Sequence, residues 1–399
     1  MPSILFHVQH LVGIGHLMRA RLLAEALAAA GLDVHLVSGG LPVALKSSGT
    51  YRTYQLPPLR VDGGDFRVLR DGDGRPVNDA YRAARRDRLI AIFDAVAPAA
   101  LLCETFPFGR RALRFELVPL LDRAAASQPR PRIVASVRDI LHRHAAERAR
   151  GMLDDANRWF DAVLVHSDPR FVAFDTTFPP ASELVPAIHH TGFVAEERKE
   201  EAPADGESGR SGAPEERREV LVSAGGGAMS AEVLGAALAA RERTRLAGAP
   251  WRLLAGPNLG EAAFGALCRA APAGVVVERA RSDFAALLRR ARVSVSQSGY
   301  NTVLDVMRSG ARPVLVPYVG ARETEQRERA LRLRALRLAT VVDEPCPAPQ
   351  VLAAAIDEAV TRDDWGRWDY DDGGAAASAA VVARMIGHPA QPPMAEPRR

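Results

Sequence analysis

Cysteine is scarce: Cys103, Cys268 and Cys346 are the three in 399 residues, far apart and odd in number. That excludes a disulfide framework, leaves no metal-ligand spacing, and suits a reducing compartment, so a cytoplasmic protein is expected. Lysine is scarcer still, at Lys46 and Lys199, so the positive charge is almost all arginine. The arginines are interspersed with Glu and Asp and the net charge is +4. No basic face emerges, and nucleic acid is not expected as a partner; contact with an anionic membrane surface stays open. No apolar run approaches the ~20 residues of a membrane span. Ser3-Ile4-Leu5-Phe6-His7-Val8 opens a strand without the basic start of a signal peptide. A third glycine is missing as well. Gly13-Ile14-Gly15 is followed by Met18 and Arg19 where a dinucleotide fingerprint needs it, and Asp33 does not close the second strand. Both points argue against an NAD site.

What the chain does have is alternation of strand and helix. Ile4–Gln9 reads as a strand, and Leu17, Ala20, Leu23, Ala24, Leu27 and Ala28 mark one face of a helix ended by Gly31. Residues 33–38 read as a second strand, 80–96 as a helix, and 100–103, 132–136, 162–166 and 188–194 as further strands. Residues 53–77, rich in Pro, Gly and Asp, read as loop, and Asp71-Gly72-Asp73-Gly74 as a turn rather than a metal motif. Residues 195–219 are charged, rich in Gly, Pro and Ser, and almost without apolar side chains. They cannot bury a core and read as a flexible linker. A second alternating series follows over 220–365, then a helix in 366–387 and a Pro-rich tail, 388–399, expected to be disordered.

Two strand-to-helix turns in the second series carry chemistry. Val220-Leu221-Val222-Ser223 runs into Gly225-Gly226-Gly227, where bare backbone lets N–H groups approach a diphosphate. Val293–Ser296 runs into Ser298-Gly299, with Thr302 in the first turn of a helix and Asp305 one turn later. The amides and dipole of a helix start favour a phosphate, and Asp305 is placed to reach a ribose hydroxyl. In the first series, Glu104-Thr105-Phe106-Pro107-Phe108 with Arg110 and Arg111 follows a strand end, where doubly wound sheets place ligands. Arg138 and Asp139, and His166 and Asp168, follow two more strand ends. These make Glu104, Phe106, Phe108, Arg138, Asp139, His166 and Asp168 candidate linings of an acceptor pocket.

Ser298-Gly299, Thr302, Asp305, Gly310-Ala311-Arg312-Pro313, Pro317, Glu325-Gln326 and Ala330 fall in the order and spacing of a known site. The stretch resembles the nucleotide-sugar site of GT-B glycosyltransferases of family 28, which includes the peptidoglycan N-acetylglucosaminyltransferase. Asp305 stands where that family usually has Glu, Ala311 where it has the glycine before the proline, and Glu325-Gln326 where it often has Gln-Gln or Asn-Gln. The three strand-end segments of the first series are similar to a less characterised bacterial branch of predicted glycosyltransferases.

The resemblance implies an α/β fold of the GT-B kind: two doubly wound Rossmann-like domains facing across a cleft. Residues 1–194 would bind the acceptor, 220–365 the nucleotide sugar, and the helix in 366–387 would return to the first domain. It implies an inverting, metal-independent transfer from a nucleotide sugar, with UDP the expected nucleotide, to a hydroxyl or amine acceptor. No cofactor is expected beyond that co-substrate. Gly13 and Gly15 would form the loop beside the acceptor, and His16 would be the general base, since a helix start disfavours imidazolium. Tyr300, Asn301, Glu325 and Gln326 would contact the donor sugar. Two rivals share the architecture: a non-hydrolysing sugar-nucleotide 2-epimerase, and a catalytically silent sugar-nucleotide-binding partner.

Overall fold

The structure is a computed structural model that describes all residues except 12, 44–48, 62–67, 197–216, 226–229, 282, 319–323, 345 and 389–399. Most of the expected linker, Gly226, Gly227 and the expected disordered tail therefore lie outside the described residues. The chain divides into two units, Met1–Glu196 with Tyr370–Arg399, and Glu197–Asp369.

The first unit is built on a seven-stranded sheet of β1 (Ser3–Val8), β2 (Asp33–Ser38), β3 (Arg52–Gln55), β4 (Ala100–Glu104), β5 (Arg132–Arg138), β6 (Ala162–His166) and β7 (Ala187–His190), in the order β3-β2-β1-β4-β5-β6-β7. Every neighbouring pair is parallel. That is why Ile4–Phe6, Leu101–Cys103 and Val163–Val165 are continuous apolar runs: helices cover both faces. On one face, α2 (Asp79–Val96), α3 (Arg114–Ala125), α4 (Ala146–Trp159) and the short α5 (Phe174–Thr177) enclose a core containing Leu89, Phe93, Leu117, Leu120, Leu153 and Phe174. On the other, α1 (Gly15–Ala29) buries Leu17, Ala20, Leu23, Ala24 and Leu27. The chain's last described helix shares that face, with Ala379 and Val382 in the same core.

The second unit has a six-stranded parallel sheet of β8 (Glu219–Ala224), β9 (Trp251–Ala255), β10 (Val275–Arg279), β11 (Ala291–Ser296), β12 (Arg312–Leu315) and β13 (Thr340–Val341), in the order β10-β9-β8-β11-β12-β13. Its helices are α6 (Ser230–Arg241), α7 (Glu261–Ala270), α8 (Phe284–Arg290), α9 (Tyr300–Ser309), α10 (Glu325–Ala335) and α11 (Pro349–Thr361); α12 (Gly374–Met385) belongs to the first unit. α9 ends where Gly310 takes φ +76°, a left-handed conformation natural to glycine.

Three strands of the first unit show where expectation and structure part. β3 lies inside the stretch read as loop; it is a short edge strand, mostly exposed, so it has no buried face to write a pattern. β5 runs two residues further than expected, to Arg138. β7 stops at His190, and Val194 instead bridges Gly373 antiparallel, securing the entry to α12.

Candidate active site

The first unit's chemistry gathers at the carboxyl ends of β1, β4 and β5. The loop after β1 is anchored from below by a buried arginine. Arg85 donates to Glu116, to Gln9 Oε1 at 2.6 Å and to the Gly39 carbonyl at 2.9 Å. Gln9 Nε2 in turn donates to the carbonyls of His10 at 2.7 Å and Leu59 at 3.2 Å. A Cβ on Gly39 would lie 2.1 Å from Gln9 Oε1 and 2.2 Å from Arg85 Nη2, so any side chain there would displace the Arg85–Gln9 bond.

Above this anchor α1 begins at Gly15, so His16 lies in its first turn. Nδ1 of His16 is 2.7 Å from Oε1 of Glu104, the last residue of β4. Arg19, one turn further along α1 and buried, grips the same oxygen, and Thr105 Oγ1 donates to it at 2.6 Å. Thr105 and Arg110 hold positive φ of 65° and 58°, strained backbone for side chains of this size, at either end of the loop after β4.

Charge follows from this packing. Burial alone would raise the Glu104 carboxyl; the His16 contact and the charges of Arg19 and Arg110 outweigh it and hold the group well below the usual carboxylate range. Burial pushes the His16 imidazole down, the Glu104 carboxylate opposes this, and the charges of Arg110 and Arg138 reinforce it. The outcome is a neutral imidazole beside an ionised carboxylate. Nδ1–H donates to Glu104, and Nε2 is the atom that can accept a proton. His16 keeps 16% of its side chain exposed, enough for that face to meet a ligand.

Several sequence candidates are placed differently. Glu104, read as an acceptor contact, is the partner of His16. Phe106 and Phe108 are core residues, packed against Phe160 and against Phe174 and Phe178. His166 is fully buried, its Nε2 2.7 Å from Ser136 Oγ and its Nδ1 3.0 Å from Thr191 Oγ1. Asp168 is paired with Arg170 and accepts the Asp371 amide at 3.3 Å, tying down the approach to α12. Asp139 is buried. Phe106 and His166 are turned into the interior, while Phe108 also lines a small cavity with Leu141, Met152 and Phe178. Arg138 remains half-buried within electrostatic reach of His16, Gly15 is half-buried and Gly13 is exposed. Arg19 was missed because its position on a helix face reads as an ordinary surface cation; its only signal was its place among Leu17, Ala20 and Leu23.

In the second unit the two expected turns lie side by side. Ser296 is in register with Ser223, so the ends of β11 and β8 are adjacent. Gly225 follows β8, and Gly256 after β9 comes so close that a Cβ on it would stand 2.5 Å from the Gly225 carbonyl oxygen. Gly299 caps α9 in extended conformation, and the Val303 amide makes a 2.9 Å bond to the Gly299 carbonyl. The amides before Val303 are the ones a helix start presents outward. Thr302 and Asn301 are half-buried in that first turn, and Asp305 is half-buried further along α9.

Between the turns stands Gln297, which the sequence analysis did not single out. It is only 6% exposed, yet its Nε2 has no hydrogen-bond partner among the described residues, and nor do Ser296 Oγ and Ser223 Oγ. Each buried donor left unmade costs about 1–3 kcal/mol. Such a group calls for a partner, which an ordered water, an ion or a ligand can supply.

Other donor-side candidates are corrected. Ser298 Oγ donates to the Gln326 carbonyl at 2.8 Å, so its hydroxyl proton is already committed. Tyr300 is buried, with Arg329 over its ring at 5.9 Å. Glu325 is buried and bound to Arg329 at 2.7 Å. Gln326 Oε1 accepts the Tyr318 amide at 3.1 Å. Among the described residues no group of three or more His, Cys, Asp or Glu could hold a metal ion, and no helix is long and apolar enough to cross a membrane.

Residues 277–364 match the glycosyltransferase family 28 C-terminal domain. Over 74 residues the chain is 35% identical to the UDP-N-acetylglucosamine–N-acetylmuramyl-(pentapeptide) pyrophosphoryl-undecaprenol N-acetylglucosamine transferase of Thermotoga neapolitana. That match covers 18% of this chain and 22% of the relative's length. Solved structures match across nearly the whole chain. The spinosyn rhamnosyltransferase in complex with spinosyn aglycone is 19% identical, with 98% of each chain covered and a TM-score of 0.56. UGT2 of Phytolacca americana, complexed with UDP-2-fluoro-glucose and pterostilbene, is 14% identical, with 97% and 94% covered and a TM-score of 0.57. The two parallel-sheet units have the GT-B fold of these structures, and residues 277–364 match the family 28 C-terminal domain.

Proposed function

We propose that this protein is a glycosyltransferase that moves a sugar from a nucleotide-sugar donor, UDP being the nucleotide, to a hydroxyl or amine of a small acceptor, with inversion and without a metal. The pairing of His16 with Glu104 carries the reading, because a silent sugar-nucleotide binder has no use for a buried, charge-compensated base. The second unit would hold the donor: its diphosphate at the Gly225 and Gly299 turns with Gln297 donating to it, and its ribose at Asp305. Helix-start amides supply the positive potential that stabilises a leaving diphosphate. The first unit would hold the acceptor beside Gly13 and Gly15.

The acceptor O–H or N–H gives its proton to His16 Nε2 as its lone pair attacks the anomeric carbon. The bond from that carbon to the diphosphate oxygen breaks on the opposite face, and its electrons leave with the nucleoside diphosphate. The imidazolium formed is stabilised by the Glu104 carboxylate, itself held by Arg19. Structural neighbours complexed with UDP-2-fluoro-glucose and pterostilbene, and with spinosyn aglycone, support this class of donor and acceptor. The test is incubation with a panel of UDP-sugars and acceptors, with products read by mass spectrometry and anomeric configuration by NMR. A new glycoside of inverted configuration is expected; an epimerised donor, or an unchanged one across the panel, would overturn the reading.

A further inference from the structure

The start of α10 is bonded to the turn that starts α9 through one buried arginine. Arg329, 1% exposed, donates from Nη1 to the Ser298 carbonyl at 2.8 Å and from Nη2 to Glu325 at 2.7 Å. Its guanidinium carbon lies 5.9 Å from the centre of the Tyr300 ring. From the other side Ser298 Oγ donates to the Gln326 carbonyl at 2.8 Å. Ser298 is thus held through both its carbonyl and its hydroxyl by two neighbouring turns of α10.

The consequence follows from peptide geometry. The Ser298–Gly299 bond is trans, so its C=O and N–H point in opposite directions. Fixing the carbonyl toward Arg329 aims the Gly299 N–H away from α10, in the sense in which α9 presents its first amides. A buried guanidinium needs a charge partner, and Glu325 supplies it at i−4 on the same helix. A planar guanidinium presents donors in fixed directions to a carbonyl and a carboxylate while its face lies toward a ring, a geometry that a compact ammonium does not reproduce.

We propose that Arg329 is the positioning residue of the diphosphate turn, and that the Glu325 carboxylate serves Arg329 rather than the donor sugar. The proposal rests on the reading of this unit as a nucleotide-sugar site. Arg329 would touch no substrate; it presets the amides so that binding does not have to order them. The donor sugar is then read by groups other than Glu325.

The experiment is titration calorimetry of UDP and UDP-glucose, and of dTDP and dTDP-glucose, into wild type, Arg329→Lys and Glu325→Gln, with thermal unfolding of each and donor and acceptor KM values alongside. Both variants should unfold cooperatively. Each should weaken the nucleoside diphosphate and its sugar by the same factor, about tenfold or more, the scale of a lost charge-assisted bond. Donor KM should rise while acceptor KM stays unchanged. Two results overturn the proposal: folded Arg329→Lys with affinities within about twofold of wild type, or Glu325→Gln that weakens the nucleotide sugar and spares the bare diphosphate, which would put Glu325 on the sugar. Should Arg329→Lys lose its cooperative transition, Glu325→Gln decides by the same criteria. Wild type that binds none of the four ligands overturns the donor reading itself, and this proposal with it.

Discussion

His16 Nδ1 stands 2.7 Å from the same Glu104 oxygen that Arg19 grips, while the second oxygen of that carboxylate has no hydrogen-bond partner among the described residues. The carboxylate is therefore not shared evenly. Its charge is fixed by a buried arginine on one side and presented to a single imidazole nitrogen on the other. This orients the ring, selects the tautomer with Nε2 unprotonated, and stabilises the cation that proton uptake creates.

His16→Ala should lower turnover by about 10²–10⁴-fold, the range of general-base catalysis, with donor KM little changed. Glu104→Gln is the finer test. Its amide oxygen still accepts from Nδ1–H, so geometry survives and only the charge is lost. Because the carboxylate raises the His16 pKa, the acidic limb of the pH–rate profile should move to lower pH in Glu104→Gln while the plateau falls. A limb that moves upward would show that Glu104 does not act on His16 in this way.

Gln297 offers a test in which stability and binding part company. Its buried Nε2 has no partner among the described residues, so Gln297→Met should remove a cost of about 1–3 kcal/mol while keeping the volume. The variant should unfold at a higher temperature than wild type without ligand, yet bind nucleoside diphosphate more weakly. Calorimetry alongside a melting curve reads both. A variant that is less stable and binds normally would make Gln297 an ordinary core residue.

Much of the site could be read from residue order, and the rest could not for a physical reason. The two glycine turns were legible because glycine at a strand end followed by a helical pattern marks a strand-to-helix turn, and both Gly225 and Gly299 lie at such ends. His16 was legible because a helix start is a fixed electrostatic environment. What the chain does not write locally is the direction of a side chain at a strand end. Phe106 and Phe108 follow a strand and His166 ends one, as ligand-binding residues do, but each is turned into the core, a choice made by residues 30 or more positions away such as Ser136 and Phe174. Buried arginines were invisible for the same reason. Arg19, Arg85 and Arg329 carry helical spacing that suits solvent equally well, and only their partners Glu104, Glu116 and Glu325 make burial affordable.

His166 predicts a pH dependence of stability. It is fully buried, and burial pushes its pKa down to about 3 from an unfolded value of 6.5. Below pH 6.5 the unfolded chain binds a proton that the folded one refuses, so the contribution is full above that pH and is lost as pH falls toward 3. One proton corresponds to about 1.4 kcal/mol per pH unit, so roughly 2 kcal/mol should be lost between pH 6.5 and pH 5. Denaturant titrations at the two pH values measure the fall. His166→Gln, which can hydrogen-bond but not titrate, should show a smaller fall by that amount; an identical fall would mean the ring protonates in the folded state.

The Arg85–Glu116 pair separates holding the fold from holding the loop. Both side chains are fully buried, and His7 Nε2 lies 3.7 Å from the same carboxylate. Glu116→Gln leaves a buried guanidinium without its counter-charge and should cost about 3–5 kcal/mol. Replacing both, as Arg85→Met with Glu116→Leu, removes the stranded charge, and most of that stability should return. Turnover should not return with it. Arg85 also donates to Gln9 Oε1 and to the Gly39 carbonyl, and Gln9 holds the His10 carbonyl at the start of the loop that leads to His16. With methionine there, Gln9 Oε1 loses the arginine donor, the Gly39 carbonyl keeps only the Leu59 amide, and the loop is held less firmly. The double variant should therefore melt near wild type and still turn over more slowly, with acceptor KM raised and nucleotide affinity unchanged. Recovery of both stability and acceptor KM would show that the loop is held by other contacts and that the buried pair serves the core alone.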